Sequence, residues 1–360
     1  MPYKICVYAI AKNEEKFLRR WYASMSEADY IAVLDTGSTD TTVSILNELG
    51  VITETEIISP WRFDHARNAS MRLIPDDTDI CVCVDIDEVF HPGWRKLLED
   101  AWQDGVTRAR YRYTWNFNDD GSEGVVFWSD KIHSYGDHIW THPVHEILQY
   151  TGTDSERFIT VPGIQLDHHA DNSKSRSQYL SLLELSVEEA PDDDRNMHYL
   201  GREYMFYGMW DKCIETLMRH LDMPSAVWAD ERSASMRFIG KAYAAKGDVL
   251  SAKKWYLRAI AEAPYLREPY MYLASLLQSI GDWEGVIYFT RCALDITTRP
   301  ESYICEAESW GALPYDLASL GYYYTGQFEK SLDMAKKALE LMPDDERLQQ
   351  NVEIIQAAIT

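Results

Sequence analysis

Short apolar runs alternate with amphipathic stretches in the first third of the chain. The apolar runs predict strands at residues 4–11, 30–34, 51–58 and 79–85. The stretches between and after them predict helices at residues 14–28, 41–49, 64–73 and 94–103. Strands that alternate with helices in this way are typical of an α/β fold with a doubly wound parallel sheet.

The apolar run at residues 79–89, DICVCVDIDEV, ends in three acids. Its valines and isoleucines alternate with two cysteines, so both faces are apolar, which is typical of a central strand of a parallel sheet. Because side chains along a strand repeat with period two, Asp85 and Asp87 are predicted to leave it on one face. Two carboxylates at the end of a buried strand are costly unless a cation lies between them. The pattern predicts a divalent metal ion held against an anionic substrate, although two solvated acids in a loop would also fit.

A third acid follows the second predicted strand. Asp35 opens the segment DTGSTD at residues 35–40, which leads into the next predicted helix. Ligands of doubly wound sheets bind outside the carboxyl ends of the strands. We therefore expect Asp35, Asp85 and Asp87 to converge on one crevice.

The second half of the chain has a different pattern, with no strand signal after residue 172. Gly-containing turns recur between amphipathic stretches, at Gly208, Gly247, Gly281 and Gly326. Their spacings of 39, 34 and 45 residues, with small residues where helices would cross, are typical of tetratricopeptide repeats carrying an insertion around residues 301–313. We predict an all-α helical-repeat domain at 173–360 after an α/β domain at 1–172. Its concave face is expected to hold peptides or partner subunits, with homo-oligomerisation as an alternative.

Charge and composition exclude several classes of function. The chain has 360 residues, with 58 acids against 35 bases and a formal net charge of −23, so nucleic acids and anionic membrane surfaces are not expected partners. No apolar run approaches the ~20 residues that span a membrane. The six cysteines form no CxxC pair or disulfide framework. These features predict a cytoplasmic protein.

Four segments together resemble the family 2 glycosyltransferases of the GT-A fold. They are AIAKNEE at residues 9–15, VLDTGSTDTT at 33–42, RN at 67–68 and VDIDEVF at 84–90. The resemblance covers about the first half of the chain. It implies a metal-dependent transfer from a nucleotide-sugar donor, expected to be UDP-linked, to a peptide, protein or glycan acceptor. It also implies Mn²⁺ or Mg²⁺ as the cofactor and inversion at the anomeric carbon.

The resemblance implies roles for individual residues. Asp87, with Asp85, would hold the metal ion, and Asp35 would accept a hydrogen bond from the nucleotide base. Arg67 would reach the donor or orient the acids. An Asx turn at Asp35 and a structural salt bridge from Arg67 to Asp64 or Asp85 are the alternative interpretations. The other residues expected to line the nucleotide site are Ala9, Ala11, Glu14 and Ile86.

The run at residues 133–146 is dense in histidine and aromatic residues, and this density suggests a site. An inverting transfer needs a carboxylate that takes the proton of the acceptor, and a His-Glu motif of the family points to Glu146 for that base. Asp137 is the rival base, and a structural glutamate that forms a salt bridge to His145 or to an arginine is the alternative interpretation of Glu146. Residues 166–169, LDHH, end the predicted α/β domain, and the resemblance implies that His168 is a third metal ligand, with His169 left open. An imidazole ligand favours Mn²⁺ over Mg²⁺.

Two other functions remain open from the sequence. The segment DIDEV at residues 85–89 fits the nucleophile motif of haloacid-dehalogenase-type phosphatases, although that class carries it on its first strand. A repeat adaptor with an inactive enzyme domain is the other alternative.

Overall fold

The structure is a computed structural model that describes residues 3–118, 121–171 and 178–359. The chain divides into two compact units, Met1–Ser186 and Val187–Thr360, here called the sheet unit and the helical unit. The boundary predicted between residues 172 and 173 lies outside the described residues.

The described part of the sheet unit contains ten strands and four complete helices, and a fifth helix crosses into the helical unit. The strands are β1 Ile5–Ala11, β2 Tyr30–Asp35, β3 Ile52–Thr55, β4 Ile80–Cys83, β5 Glu88–Phe90, β6 Arg108–Thr114, β7 Val126–Ser134, β8 His138–Thr141, β9 Ile147–Tyr150 and β10 Phe158–His168. The helices are α1 Leu18–Met25, α2 Thr42–Glu48, α3 Phe63–Met71, α4 Trp94–Ala101 and α5 Tyr179–Glu189.

Eight of these strands form one sheet in the order β3-β2-β1-β4-β7-β6-β10-β5. The first four run parallel, as predicted. The faces of β1 are buried in two different clusters: Val7 and Ala9 pack with Trp21 of α1, whereas Tyr8 packs with Trp140. This two-sided burial explains why the central strands lack polar positions.

The other half of the sheet departs from a wholly parallel arrangement. β7 runs antiparallel to both β4 and β6, and β5 runs antiparallel to β10. The sheet is therefore mixed, with the α/β alternation confined to its first half. Two pairings position the candidate site: Val82 lies opposite Ile132, and His168 lies opposite Glu88.

The helical unit contains only helices in its described part. They are α6 Asp194–Phe206, α7 Trp210–Asp222, α8 Ala229–Ala245, α9 Val249–Glu262, α10 Glu268–Ser279, α11 Trp283–Asp295, α12 Ala307–Trp310, α13 Leu313–Tyr324, α14 Phe328–Leu341 and α15 Glu346–Ile359. All four predicted glycine turns join successive helices, and each glycine has a φ between 67° and 79°. A left-handed turn of this kind favours glycine.

Small residues allow the paired helices to approach closely, as the repeat pattern predicts. A Cβ atom on Gly240 of α8 would lie 2.5 Å from the Tyr256 ring of α9. On Gly201 of α6 it would lie 2.3 Å from Leu217 of α7. Neither glycine can be replaced without moving the facing side chain. The helical-repeat fold is thus confirmed by its own packing.

The predicted insertion near residues 301–313 folds back onto the repeats. Arg237 of α8 donates to the carbonyl oxygen of Ile304 (2.8 Å) and pairs with Glu306 (2.6 Å). Glu268 of α10 accepts the backbone N–H of Glu306 (2.8 Å). Buried polar side chains of α8 and α10 therefore bind a later segment of the chain itself.

Candidate functional site

The carboxyl ends of β1, β2 and β4 meet at one edge of the sheet. β1 and β2 are in register with Ala11 opposite Asp35, and β1 and β4 with Tyr8 opposite Cys83. The residues that follow Asp35 and Cys83 therefore emerge at the same edge of the sheet, on either side of β1, as the parallel arrangement predicts. This edge is the candidate site.

Asp35 is buried, and its own backbone holds its carboxylate. The N–H groups of Gly37 (3.2 Å) and Ser38 (3.1 Å) donate to it. This is the Asx turn considered from the sequence, and it fixes the carboxylate at the end of β2.

Asp85 and Asp87 do not leave a strand on the same face, because β4 ends at Cys83 and a turn separates the two acids. The backbone N–H of Glu88 closes this turn on the carbonyl oxygen of Asp85 (3.0 Å). The period-two argument is therefore wrong at this position. The two acids instead belong to two adjoining groups of charged side chains.

The first group is centred on Arg67 of α3. Its Nη2 atom lies 2.5 Å from Oδ1 of Asp85, and its Nε atom donates to Oε1 of Glu146 at 2.9 Å. The guanidinium is almost fully buried, with 4% of its side chain exposed. One arginine thus holds two of the predicted site acids together. The sequence left Asp64 and Asp85 open as ion-pair partners of Arg67, and the structure shows the ion pair with Asp85.

Lys131 completes this group, and the sequence interpretation missed it. Its Nζ lies 3.1 Å from Oδ2 of Asp85 and 3.7 Å from Oε1 of Glu88. The antiparallel register of β7 on β4 places it there, because Ile132 lies opposite Val82. A single lysine in a strand has no local signal for such a role.

These charges set the ionisation of the acids. Burial opposes ionisation of Asp85, but Arg67 and Lys131 outweigh it and hold the pKa of Asp85 well below its usual range. Burial raises the pKa of Glu88, which Lys131 offsets only in part. The hydroxyl of Tyr113 donates to Glu88 (2.8 Å), and Glu88 accepts the backbone N–H of Asp85 (2.7 Å). Glu88 therefore supports the turn through hydrogen bonds, and Asp85 is held in its ionised form.

Asp87 and His168 form the second group. Oδ2 of Asp87 lies 3.3 Å from Nε2 of His168, and the backbone N–H of His169 donates to the carbonyl oxygen of Asp87 (2.8 Å). Nδ1 of His168 is bound to the carbonyl oxygen of Trp115 at 2.8 Å and therefore carries a proton. A neutral ring would then turn the lone pair of Nε2 towards a carboxylate, which requires a proton or a metal ion between them.

The side chains present fit a divalent ion. Neighbouring oxygen and nitrogen ligands of one octahedral ion lie about 3 Å apart, close to the Asp87–His168 separation. A carbonyl that holds Nδ1 is the usual support of a metal-bound imidazole. Burial opposes a positive charge on His168, but Asp87 outweighs it and raises its pKa. The ring of His169 instead stacks on Phe117.

The remaining nucleotide-site candidates lie at this edge or just behind it. Ala9, Ala11 and Ile86 are buried. The carbonyl oxygen of Ala11 accepts the backbone N–H of Thr36 (2.8 Å). Glu14 is buried and its N–H donates to the Thr42 hydroxyl (2.7 Å). Their part in binding a nucleotide stays a prediction.

Asp137 does not join the site. It follows β7, whose last residue Ser134 lies opposite Ile80 at the amino end of β4. Asp137 is therefore exposed at the opposite edge of the sheet from Asp85.

Much of the imidazole-rich run is structural. Nε2 of His133 contacts the hydroxyl of buried Tyr8 (2.9 Å), and Nε1 of Trp140 donates to the same hydroxyl (2.9 Å). Burial lowers the pKa of His133 to about 3 and keeps the ring neutral. Trp140 is 2% exposed and has no face for a sugar. Of this run, Glu146 is the residue that the structure brings to Asp85.

Part of the sheet unit matches a protein-family model. Residues 6–151, which include β1 to β9 apart from Ile5, match the model of Glycosyl transferase family 2. The sheet unit carries a glycosyltransferase family 2 domain. The match includes the acids at the carboxyl edge, Arg67, Lys131 and Glu146, and it supports glycosyltransferase activity in general. The helical repeats follow this glycosyltransferase domain in the chain.

Other relatives cover less of the chain. It is 31% identical over 107 residues to prolyl 3-hydroxylase 2 of Rattus norvegicus, and also of Homo sapiens. That stretch is 28% of this chain and 15% of the length of each relative. No helix in the described residues is both long and apolar enough to cross a membrane.

Solved helical-repeat structures resemble about half of the chain at low similarity. They include the MamA protein (18% identity, TM-score 0.36, 47% of this chain and 83% of that one). They also include YrrB, described as a TPR protein with an unusual peptide-binding site (15% identity, TM-score 0.37, 48% of this chain and 81% of that one). The assignment of the helical unit depends on its own glycine turns and helix pairs instead.

Proposed function

We propose that the sheet unit transfers a sugar from a UDP-sugar to an acceptor with inversion at the anomeric carbon, and that Mn²⁺ or Mg²⁺ binds together with the donor. The observation that carries the proposal is the Asp87–His168 pair, 3.3 Å apart, beside Asp85 at the carboxyl edge of the sheet. The family match supports the reaction class, and the donor, ion and acceptor are parts of the proposal.

In this proposal Asp87 and His168 hold the ion, with Asp85 beside them. A bound ion neutralises the diphosphate as it leaves the sugar. Mn²⁺ is the better candidate, because Mg²⁺ rarely takes a nitrogen ligand. Asp35, fixed by its own backbone, accepts a hydrogen bond from the base of the nucleotide.

Arg67 and Lys131 keep Asp85 ionised and in one orientation. Arg67 also binds Oε1 of Glu146, so the proposal assigns the proton of the attacking acceptor to Oε2 of the same carboxylate. A positioned general base of this kind contributes about 10²–10⁴ to the rate. Glu146 is thereby linked to Asp85 through a single guanidinium.

The helical unit is proposed to bind a polypeptide, either the acceptor or a protein partner. Repeats of this type present extended surfaces for protein recognition. Binding to the residues around Arg237 would require the segment at 302–306 to be displaced, so other faces of the repeats are the first candidates.

The test is a melting-temperature and turnover series on the full chain. UDP with Mn²⁺ is expected to raise the melting temperature, and neither alone should do so to the same extent. Release of UDP from UDP-sugars should then identify the donor. Equal stabilisation by UDP with and without Mn²⁺ would contradict the metal assignment. Release of inorganic phosphate from sugar phosphates without a nucleotide would favour a phosphatase instead.

A further inference from the structure

Three side chains of metal-ligand type meet between the first three helices of the helical unit. They are His198 on α6, His220 on α7 and Glu231 on α8, and one ligand atom of each lies within 4.8 Å of the others. Both histidines are completely buried and Glu231 is 4% exposed. This cluster belongs to a different unit from the candidate active site.

A serine holds both imidazole rings in one orientation. Nδ1 of His198 lies 2.7 Å from Oγ of Ser235, and Nδ1 of His220 lies 3.0 Å from the same oxygen. The two Nε2 atoms are therefore turned away from Ser235. In the described part of the chain Nε2 of His198 has no hydrogen-bond partner, and Nε2 of His220 lies 3.3 Å from Oε1 of Glu231. Buried polar atoms without a partner are rare and costly.

Burial and the neighbouring groups shift the pKa values of His198 and Glu231. Burial lowers the pKa of His198 to about 3, so its ring is neutral at pH 7. Burial opposes ionisation of Glu231, but the two histidines and the hydroxyl of Tyr303 lower its pKa to about 2. Metal binding requires neutral imidazole and ionised carboxylate, and the pKa shifts of His198 and Glu231 have these directions.

We propose that His198, His220 and Glu231 bind one zinc ion, which ties α6, α7 and α8 together. Two imidazoles and one carboxylate are a recurring zinc ligand set. Neighbouring ligands of a tetrahedral zinc ion lie about 3.3 Å apart, as Nε2 of His220 and Oε1 of Glu231 do. One ligand atom of each residue lies within 4.8 Å of the other two, so the three need to close by at most about 1.5 Å to reach the same separation. The fourth position falls to a water molecule or to the hydroxyl of Tyr303, which contacts Glu231.

The surrounding charges favour zinc over a hard ion. The guanidiniums of Arg202 and Arg237 both act on His198, and Arg237 is itself paired with Glu306. A site with a single carboxylate and nearby arginines cannot attract an ion by charge alone. Bonds to imidazole nitrogen must provide the affinity, which excludes Ca²⁺ and Mg²⁺ as occupants.

The test uses the full chain with Asp87→Ala and His168→Gln, so that the candidate site of the sheet unit is disabled. Zn²⁺ is titrated against a chromogenic chelator, and Co²⁺ is added to read the coordination number from its absorption. One ion per chain with a dissociation constant below about 1 μM is expected. His198→Gln or His220→Gln should weaken binding at least about 100-fold, because even a residue that only supports a ligand contributes 10–100-fold. His65→Gln, on an exposed histidine, is the matched control and should change nothing.

Circular dichroism of each variant shows whether it is folded. If a histidine variant does not fold, Glu231→Gln decides, since it keeps the size of the side chain and an oxygen for Tyr303 but removes the charge. It should weaken Zn²⁺ binding at least about 10-fold. The proposal is overturned if the parent chain binds no Zn²⁺ below about 100 μM, lacks the intense absorption of four-coordinate Co²⁺, or binds equally well after either substitution in folded protein.

Discussion

Arg67 in the sheet unit and Arg237 in the helical unit are both almost fully buried, and each binds two oxygen-bearing groups. Arg67 joins the carboxylates of Asp85 and Glu146. Arg237 joins the carboxylate of Glu306 and the carbonyl oxygen of Ile304. The electrostatic requirement is the same, because a buried charge must be compensated in either place.

The two arginines differ in where their partners lie in the fold. Those of Arg67 lie where strands end, beside the crevice in which α/β sheets bind ligands. Those of Arg237 lie on a segment between repeats, which it anchors to α8. A buried ion network alone therefore does not indicate a catalytic site, and its position in the fold decides the interpretation.

The largest expected effect is on turnover, and it distinguishes an acid of the sheet unit from an acid of the helical unit. Asp87→Ala should lower UDP release from the donor at least about 10³-fold, because the proposed ion then loses a charged ligand. Glu306→Ala, which removes one ion-pair partner in the helical unit, should leave this rate within about 2-fold. Initial rates with saturating Mn²⁺, and circular dichroism of each variant, are the measurements. Retained turnover in folded Asp87→Ala would remove Asp87 from the metal site.

Glu146→Gln tests the base without breaking its contact to Arg67, since the amide oxygen can still accept that hydrogen bond. Turnover should fall about 10²–10⁴-fold, while the affinity for UDP changes less than about 3-fold. The counterpart Glu268→Gln in the helical unit should affect stability alone. Unchanged turnover in Glu146→Gln would return the role of base to another acid.

Exchanging each arginine for methionine tests the comparison directly. Arg67→Met leaves Asp85 and Glu146 without their shared cation and should lower the free energy of unfolding of the sheet unit by about 3 kcal/mol. Arg237→Met should destabilise the helical unit by about 1–3 kcal/mol, since Glu306 is partly exposed. Urea transitions followed by tryptophan fluorescence measure both. Only Arg67→Met should also lower turnover at a temperature at which both variants are folded. Equal turnover of the two variants would show that both arginines are purely structural.

The sequence was sufficient for features that depend on local pattern. Parallel strands and their carboxyl edge follow from alternating apolar and amphipathic segments, and so does the location of Asp35. The glycine turns of the repeats were likewise predictable, because a left-handed turn leaves a direct signal in the sequence. The metal and nucleotide roles of these residues stay predictions.

Features that depend on pairing between distant segments were not predictable. Lys131 reaches Asp85 through the register of β7 on β4, and Asp137 is carried to the other edge by the same register. The early end of β4 at Cys83 separates Asp85 from Asp87. In the helical unit, His198, His220 and Glu231 come from three helices with no shared local pattern. Non-local packing decides each of these cases.

The smallest expected effect concerns two adjacent histidines in protein without added metal. Asp87 raises the pKa of His168, so this pair stabilises the folded protein fully below the unfolded value of about 6.5. The contribution is lost as the pH rises through the raised pKa of His168.

The contribution of His169 to stability depends on pH in the opposite direction. Burial and the charge of Arg20 lower its pKa, so its contribution is present above about pH 6.5 and is lost as the pH falls through the lowered value. His168→Gln should therefore cost about 1 kcal/mol or less near pH 5.5 and still less at pH 9, whereas the effect of His169→Gln should shrink towards low pH. Urea unfolding of both variants between pH 5 and pH 9 measures the two slopes. Parallel slopes would contradict the assignment of His168 as the partner of Asp87, because the pKa of His168 is raised and that of His169 is lowered, which requires slopes of opposite sign.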